Sequence, residues 1–330
     1  MRGLFRADWL RFRKRGALQV MVIAVPVIIA FFYLAGFRGS DAGIMPFDEA
    51  AFRQQMIDSG AVIGLPPDEA EAQLQQMVAN ERAGYQQMID QFTRVKSGYA
   101  FPQSFILVLG FATFAFLAMI LITATTFGDE FGWGTIRTSL LASSDRRRFF
   151  LARLLSLIGV AVVLFAVLLL LGVLLPGVLA VTGSNVPAAP PVDPGWLAVL
   201  VLADLVISIM LIGFATMATV LVRSGGLALI AVLVYVAIEG ALLSLLTRFD
   251  AFQDAGSLQW VLNLFPFRAT LTILDKLAVA AGRVESGFYP GSDVQPDPGA
   301  ALLPLAALAI WGALFLAIAF LRFRRMDIVE

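Results

Sequence analysis

Residues 127–150 read FGDEFGWGTIRTSLLASSDRRRFF, a polar, glycine-broken insert between two long apolar runs. The preceding run, 104–127, carries no charge; the following run, 154–181, contains a proline, Pro176, near one end, expected only to kink a helix. Gly128, Gly132 and Gly134 are expected to let the chain turn sharply as it leaves the first run. From Thr135, TIRTSLLA predicts a short helix with Ile136 and Leu140 on one face. Ser143 or Ser144 is then expected to cap a new helix that runs through 146–153 into the second run. Arg137, Arg146, Arg147, Arg148 and Arg153 make the insert a compact basic elbow at a membrane surface.

The composition agrees. Hydrophobic residues make up 59% of the chain and charged residues 15%, with a mean hydropathy of +0.84, outside the range of ordinary soluble domains. The absence of cysteine removes disulfides and thiolate chemistry. The absence of histidine removes Ser-His and Cys-His catalysis and histidine-based metal sites. No catalytic residue and no metal ligand is therefore assigned, and nothing points to a nucleic-acid partner.

Crossing a hydrocarbon core of roughly 30 Å takes about 20 apolar residues in a helix. Six segments meet that length: 17–37, 104–127, 154–181, 196–222, 227–246 and 300–321. The fold class that follows is an all-α integral membrane protein with six transmembrane helices, multi-pass in the cell membrane. The first run is too long for a typical signal-peptide core and is read as a retained anchor. Arginines and lysines collect before the first span, in the elbow 128–153, at Arg223 and in the tail 322–330. By the positive-inside rule both termini and the elbow face the cytoplasm, and segments 38–103 and 247–299 face outward.

Residues 1–16 place Phe5, Trp9 and Phe12 at helical spacing opposite arginines, as in a basic amphipathic helix lying on the inner leaflet. Segment 38–103 reads as an extracytoplasmic helical insert: FDEAAFRQQMI suggests a short helix. After the prolines at 66–67, Leu74, Met77 or Val78, Tyr85, Met88 and Phe92 recur at three-four spacing. In 247–299, LQWVLNLFPFRATLTILDKL is too apolar for a free loop and suggests a re-entrant or interfacial helical pair.

No G-x-x-x-x-G-K-[ST] loop occurs, so the chain does not hydrolyse ATP by itself. Yet DEFGWGTIRTSLLASSDRRRFFLARLL resembles the corresponding region of ABC-2 type exporter permeases. Glu130, Gly134, Thr135, Arg137, Leu140, Leu141, Ser144 and Arg147 stand at the matching positions. The tail FRFRRMDIVE is similar to the F-x-x-R-D ending of that family, with Met326 interposed before Asp327. The long first outer segment departs from many of its members. The resemblance implies a permease half that pairs with a second permease, itself or a homologue, and with cytosolic ABC ATPase subunits that bind ATP and magnesium. No cofactor is implied in this chain. The elbow would be the coupling helix seated on the ATPase.

Asp204 and Glu239 fall inside spans, where an acid costs about 2.5–3.5 kcal/mol on insertion scales. At least one is expected to be protonated or hydrogen-bonded, to Ser208 or Ser244. They either line a pathway, taking a cationic substrate group, or tie spans four and five together as a buried polar pair. The alternative function is a stand-alone secondary transporter or ion pathway that uses these two acids. No inverted internal repeat accompanies them.

Because the chain lacks cysteine, one placed at Thr135 is unique. It is expected to react with a membrane-impermeant maleimide only after the cytoplasmic face is opened. Labelling of intact cells from outside would reverse the topology.

Overall fold

The computed structural model describes residues 16–40, 46–61, 64, 66–132, 145–246, 259–281 and 301–326. All the regular structure there is helical. The interfacial positions Phe5, Trp9 and Phe12 lie outside the described residues. So does the elbow tip with Gly134, Thr135, Arg137, Leu140, Leu141 and Ser144.

Six helices are long and apolar enough to cross a membrane: α1 (Gly16–Gly39), α5 (Ala112–Gly132), α6 (Arg146–Val181), α7 (Pro194–Val222), α8 (Gly225–Leu246) and α11 (Leu302–Arg325). Two of the starts have a clear local cause. Asp145, not Ser143 or Ser144, caps α6: its carboxylate accepts from the amides of Arg147 and Arg148. Asp193 does the same for α7 through Gly195 and Trp196, with Pro194 at the first helical position. Arg223, at φ +57°, ends α7 in a left-handed cap and lets α8 fold back at once.

The elbow is narrower than expected, because helix enters it from the α5 side as well. α5 continues through Gly128 to Gly132, and α6 runs through 146–153 into the next span, as expected. Gly128 does not turn the chain. It lies within the helix, where a β-carbon would overlap the Gly225 backbone, while one at Gly225 would sit 2.7 Å from the Ala124 carbonyl oxygen. Here glycine serves the close approach of two helices. The apolar run 104–127 is itself in two pieces. A short helix α4 (Ser104–Gly110) breaks at Phe111 before α5 begins.

α7 is the central post, packed against α11, α5, α8 and α10 (Pro266–Ala280). Gly213 and Gly312 allow the α7 and α11 backbones to approach. Around the outside, Leu227, Ile230, Leu233 and Ile238 of α8 and Val20, Ile23, Val27 and Phe31 of α1 are exposed, as lipid-facing side chains are. Proline in α6 shows what burial in an apolar bundle demands. Pro176 has no N–H for the Gly172 carbonyl, and Ser104 Oγ fills that place with a 2.6 Å hydrogen bond from α4.

Between the first two spans, α2 (Glu49–Asp58) and α3 (Pro67–Ser97) pair as two helices, joined by Arg53–Glu71 at 2.5 Å. The segment rejoins the bundle at Tyr99, whose carbonyl accepts from the Tyr33 hydroxyl at 2.5 Å. Burial pushes the Tyr99 phenol above its ordinary value. α9 (Gln259–Leu262) and α10 follow one another in the second large segment.

Gly128→Ala is expected to lose stability, since overpacking typically costs about 1–3 kcal/mol. Gly177→Ala, with open space around it, is expected to hold or gain. The difference reads out as Tm in detergent. Equal Tm values would contradict the close approach of α5 and α8.

Candidate functional site

Among the described residues, three places hold ionisable side chains inside the bundle. The first lies at its arginine-rich end, where Glu130 and Arg153 form an ion pair between α5 and α6. Glu130 is 3% exposed and Arg153 1%. Neither solvent nor a docking partner reaches a carboxylate so placed, so Glu130 acts on the elbow from within. It fastens the last turn of α5 to the second turn of α6, one on each side of segment 133–144. Matching Arg147 lies on the first turn of α6 and is exposed.

The same end is locked twice more. Arg146 Nη1 donates to the Arg324 and Met326 carbonyls at 3.0 and 2.9 Å, binding the start of α6 to the end of α11. Those carbonyls are ones that a helix C-terminus leaves without intrahelical donors. Beneath them an aromatic layer closes. Phe150 meets Phe127, Phe320 and Phe323, with centroids 5.6–6.1 Å apart, and Phe149 stacks on Phe323. Three spans are thus joined at the root of the elbow by an ion pair, a guanidinium cap and five rings.

The second place is midway along the spans. Glu239 is 3% exposed, and its Oε1 accepts from the backbone N–H of Phe267 at 2.9 Å and of Arg268 at 3.0 Å. These are the first amides of α10, which have no carbonyl inside their own helix. The carboxylate therefore caps α10 from a neighbouring element, with the favourable sign for the helix dipole. Glu239 Oε2 makes no hydrogen bond of strict geometry among the described residues, and the Tyr235 hydroxyl is the polar group beside the carboxylate. The Trp311 indole N–H donates to the Leu264 carbonyl at 2.7 Å and holds the turn that precedes α10. From there α10 climbs to the bundle rim, where Asp193 N–H meets the Ala281 carbonyl at 3.2 Å.

Asp204 has a different setting. It is fully buried in α7, and both its oxygens and the Ser208 Oγ have no hydrogen-bond partner among the described residues. The expected Asp204–Ser208 bond is not made. No hydrogen bond joins Asp204 to Glu239 either; each acid has its own surroundings.

A protein-family model covers residues 75–329, and its description is a protein of unknown function, DUF2705. The chain belongs to this family. The matched residues include the Glu130–Arg153 pair, the Arg146 cap and the Glu239–α10 contact. Neither the curated proteins nor the solved structures hold a match to the chain.

Of the residues singled out in the sequence, Glu130, Arg147, Asp204 and Glu239 are described, and they fall into three separate surroundings. Sequence reasoning counted Arg153 only as positive charge and passed over Arg146 as a cap and Tyr235, Phe214 and Trp311 entirely. A signal for Arg153 was present. It stands inside FFLARLL, where apolar neighbours on both sides place a cation in the protein interior and require an acid nearby.

Arg153→Met leaves the Glu130 carboxylate buried and unpaired, at a cost of about 3–5 kcal/mol. The double variant Glu130→Met/Arg153→Met is expected to recover most of it. Thermal denaturation of the DUF2705 protein in detergent measures both. Additive losses in the double variant would show that the two charges do not depend on each other.

Proposed function

We propose that this chain is the membrane-spanning permease subunit of an ATP-binding cassette exporter. Its elbow docks on a separate cytosolic ATPase, and its termini and elbow lie on the cytoplasmic side of the cell membrane. The observation that supports this reading is the fastening of the elbow's two roots. A force applied to segment 133–144 cannot be absorbed by splaying α5 from α6, because the buried ion pair, the Arg146 cap and the ring layer resist it. It passes instead into α5, α6 and, through Phe323, α11. Interiors packed this densely transmit displacement rather than yield to it.

In this mechanism ATP binding closes the ATPase pair, the elbow moves with the surface it sits on, and the arginine-rich ends of three spans move as a unit. A pathway formed with a second permease copy or homologue then changes the side to which it opens. Leu140 and Leu141 provide the apolar contact with the ATPase cleft, and Arg137 and Arg147 flank it with positive charge. Glu130 holds the base of the lever.

A stand-alone secondary transporter remains the second reading, and Asp204 is the observation in its favour. An acid with both oxygens unpartnered inside a bundle is a natural carrier of a proton or cation.

One experiment separates the two. Affinity purification of the chain from native membranes is expected to bring down an ATPase subunit. Leu140→Asp/Leu141→Asp is expected to lose it, while Asp204→Asn keeps it. Cargo movement by the purified chain in liposomes without any ATPase would overturn the exporter reading.

A further inference from the structure

Glu239 has company that the capping of α10 does not require. Tyr235 lies one turn earlier on α8, and its ring is 5.0 Å from Phe214 and 5.9 Å from Phe267. Phe214 also meets Phe315 at 4.9 Å and Phe267 at 6.3 Å, and Phe315 stacks on Trp311 at 5.3 Å. Five rings from α7, α8, α10 and α11 therefore form one continuous surface beside a buried carboxylate. The residue that carries Glu239's hydrogen bond, Phe267, is itself one of the five.

We propose that this ring set and Glu239 form a binding site for lipophilic organic cations, entered from the bilayer. The chemistry is that of ammonium recognition: ring faces attract a cation, and a carboxylate completes its charge. Oε1 is committed to the α10 amides, and the carboxylate, with the Tyr235 hydroxyl beside it, takes the ligand's charge. The cap on α10 thus stays in place while the site fills.

The route is set by exposure. Phe214 and Phe315 are buried, whereas Tyr235, Phe267 and Trp311 are half-buried, and Leu264, Leu271 and Ile238 beside them in the chain are exposed on the apolar face. A ligand reaches the rings through hydrocarbon, so it must be an amphiphile or a cation with delocalised, weakly hydrated charge. A small hydrated ion does not travel that way. The purpose of the site rests on the exporter reading, since such compounds would be its cargo; its existence does not.

The test uses the full chain in detergent with radiolabelled tetraphenylphosphonium, no ATPase present, and equilibrium dialysis as the readout. Saturable binding is expected, with the anion tetraphenylborate failing to compete. Glu239→Gln keeps an acceptor for the α10 amides but no charge, and is expected to lose at least about tenfold in affinity. Phe315→Leu and Trp311→Leu, which leave the carboxylate intact, are expected to lose several-fold. Asp204→Asn is expected to bind as the parent does. Unchanged binding in Glu239→Gln, or equal competition by tetraphenylborate, would reduce the effect to partition onto the apolar surface and overturn the proposal. Saturable binding in a chain that captures no ATPase would leave the site standing and remove the exporter reading alone.

Discussion

Hydrocarbon offers no hydrogen-bond partner, and every polar group of this bundle is placed under that constraint. It explains why Ser104 reaches the Gly172 carbonyl that Pro176 leaves bare. It explains why a carboxylate on α8 caps a helix that starts deep among the spans. In water each of these groups would have had a cheaper solution. Here the partner must come from another part of the chain, so satisfying a local need creates a tertiary link. The links at the arginine-rich end fix three spans to one another, and those midway fix α10 to α8 and α11.

These two sets of links differ in character. Around the elbow they are redundant: charge, backbone capping and ring packing all oppose the same motion. Around Glu239 a single oxygen carries the connection to α10. In the exporter proposed above, that difference would leave the elbow end to move as a unit.

The spans were legible from the sequence because length and apolarity alone decide them. Their ends were not. Gly128 looked like a turn residue because glycine between polar neighbours usually is one. What fixes it in a helix is the Gly225 backbone, nearly a hundred residues away and invisible to local pattern. Asp145 was overlooked as a cap because two serines stood before it. Asp204 and Glu239 were found as acids in apolar runs, yet nothing in their neighbourhoods distinguished them. The amides that Glu239 serves belong to a segment that follows it in the chain, and only the fold brings them together. The same holds for Arg153, whose charge was plain and whose partner was not. The elbow's resemblance to exporter permeases rests on residues mostly beyond the described structure, so it enters as the basis of a proposal.

The Ser104–Gly172 bond has a consequence for how this chain tolerates change. A proline in α6 and a serine in α4 act as one unit: the first opens a gap in the backbone ladder, the second fills it. Loss of the serine alone strands a carbonyl in an apolar setting. Replace Pro176 with a residue that carries its own N–H, and the serine becomes dispensable. Substitutions at the two sites are therefore permitted in one order and penalised in the other, so the sequence that came first constrains which could come next.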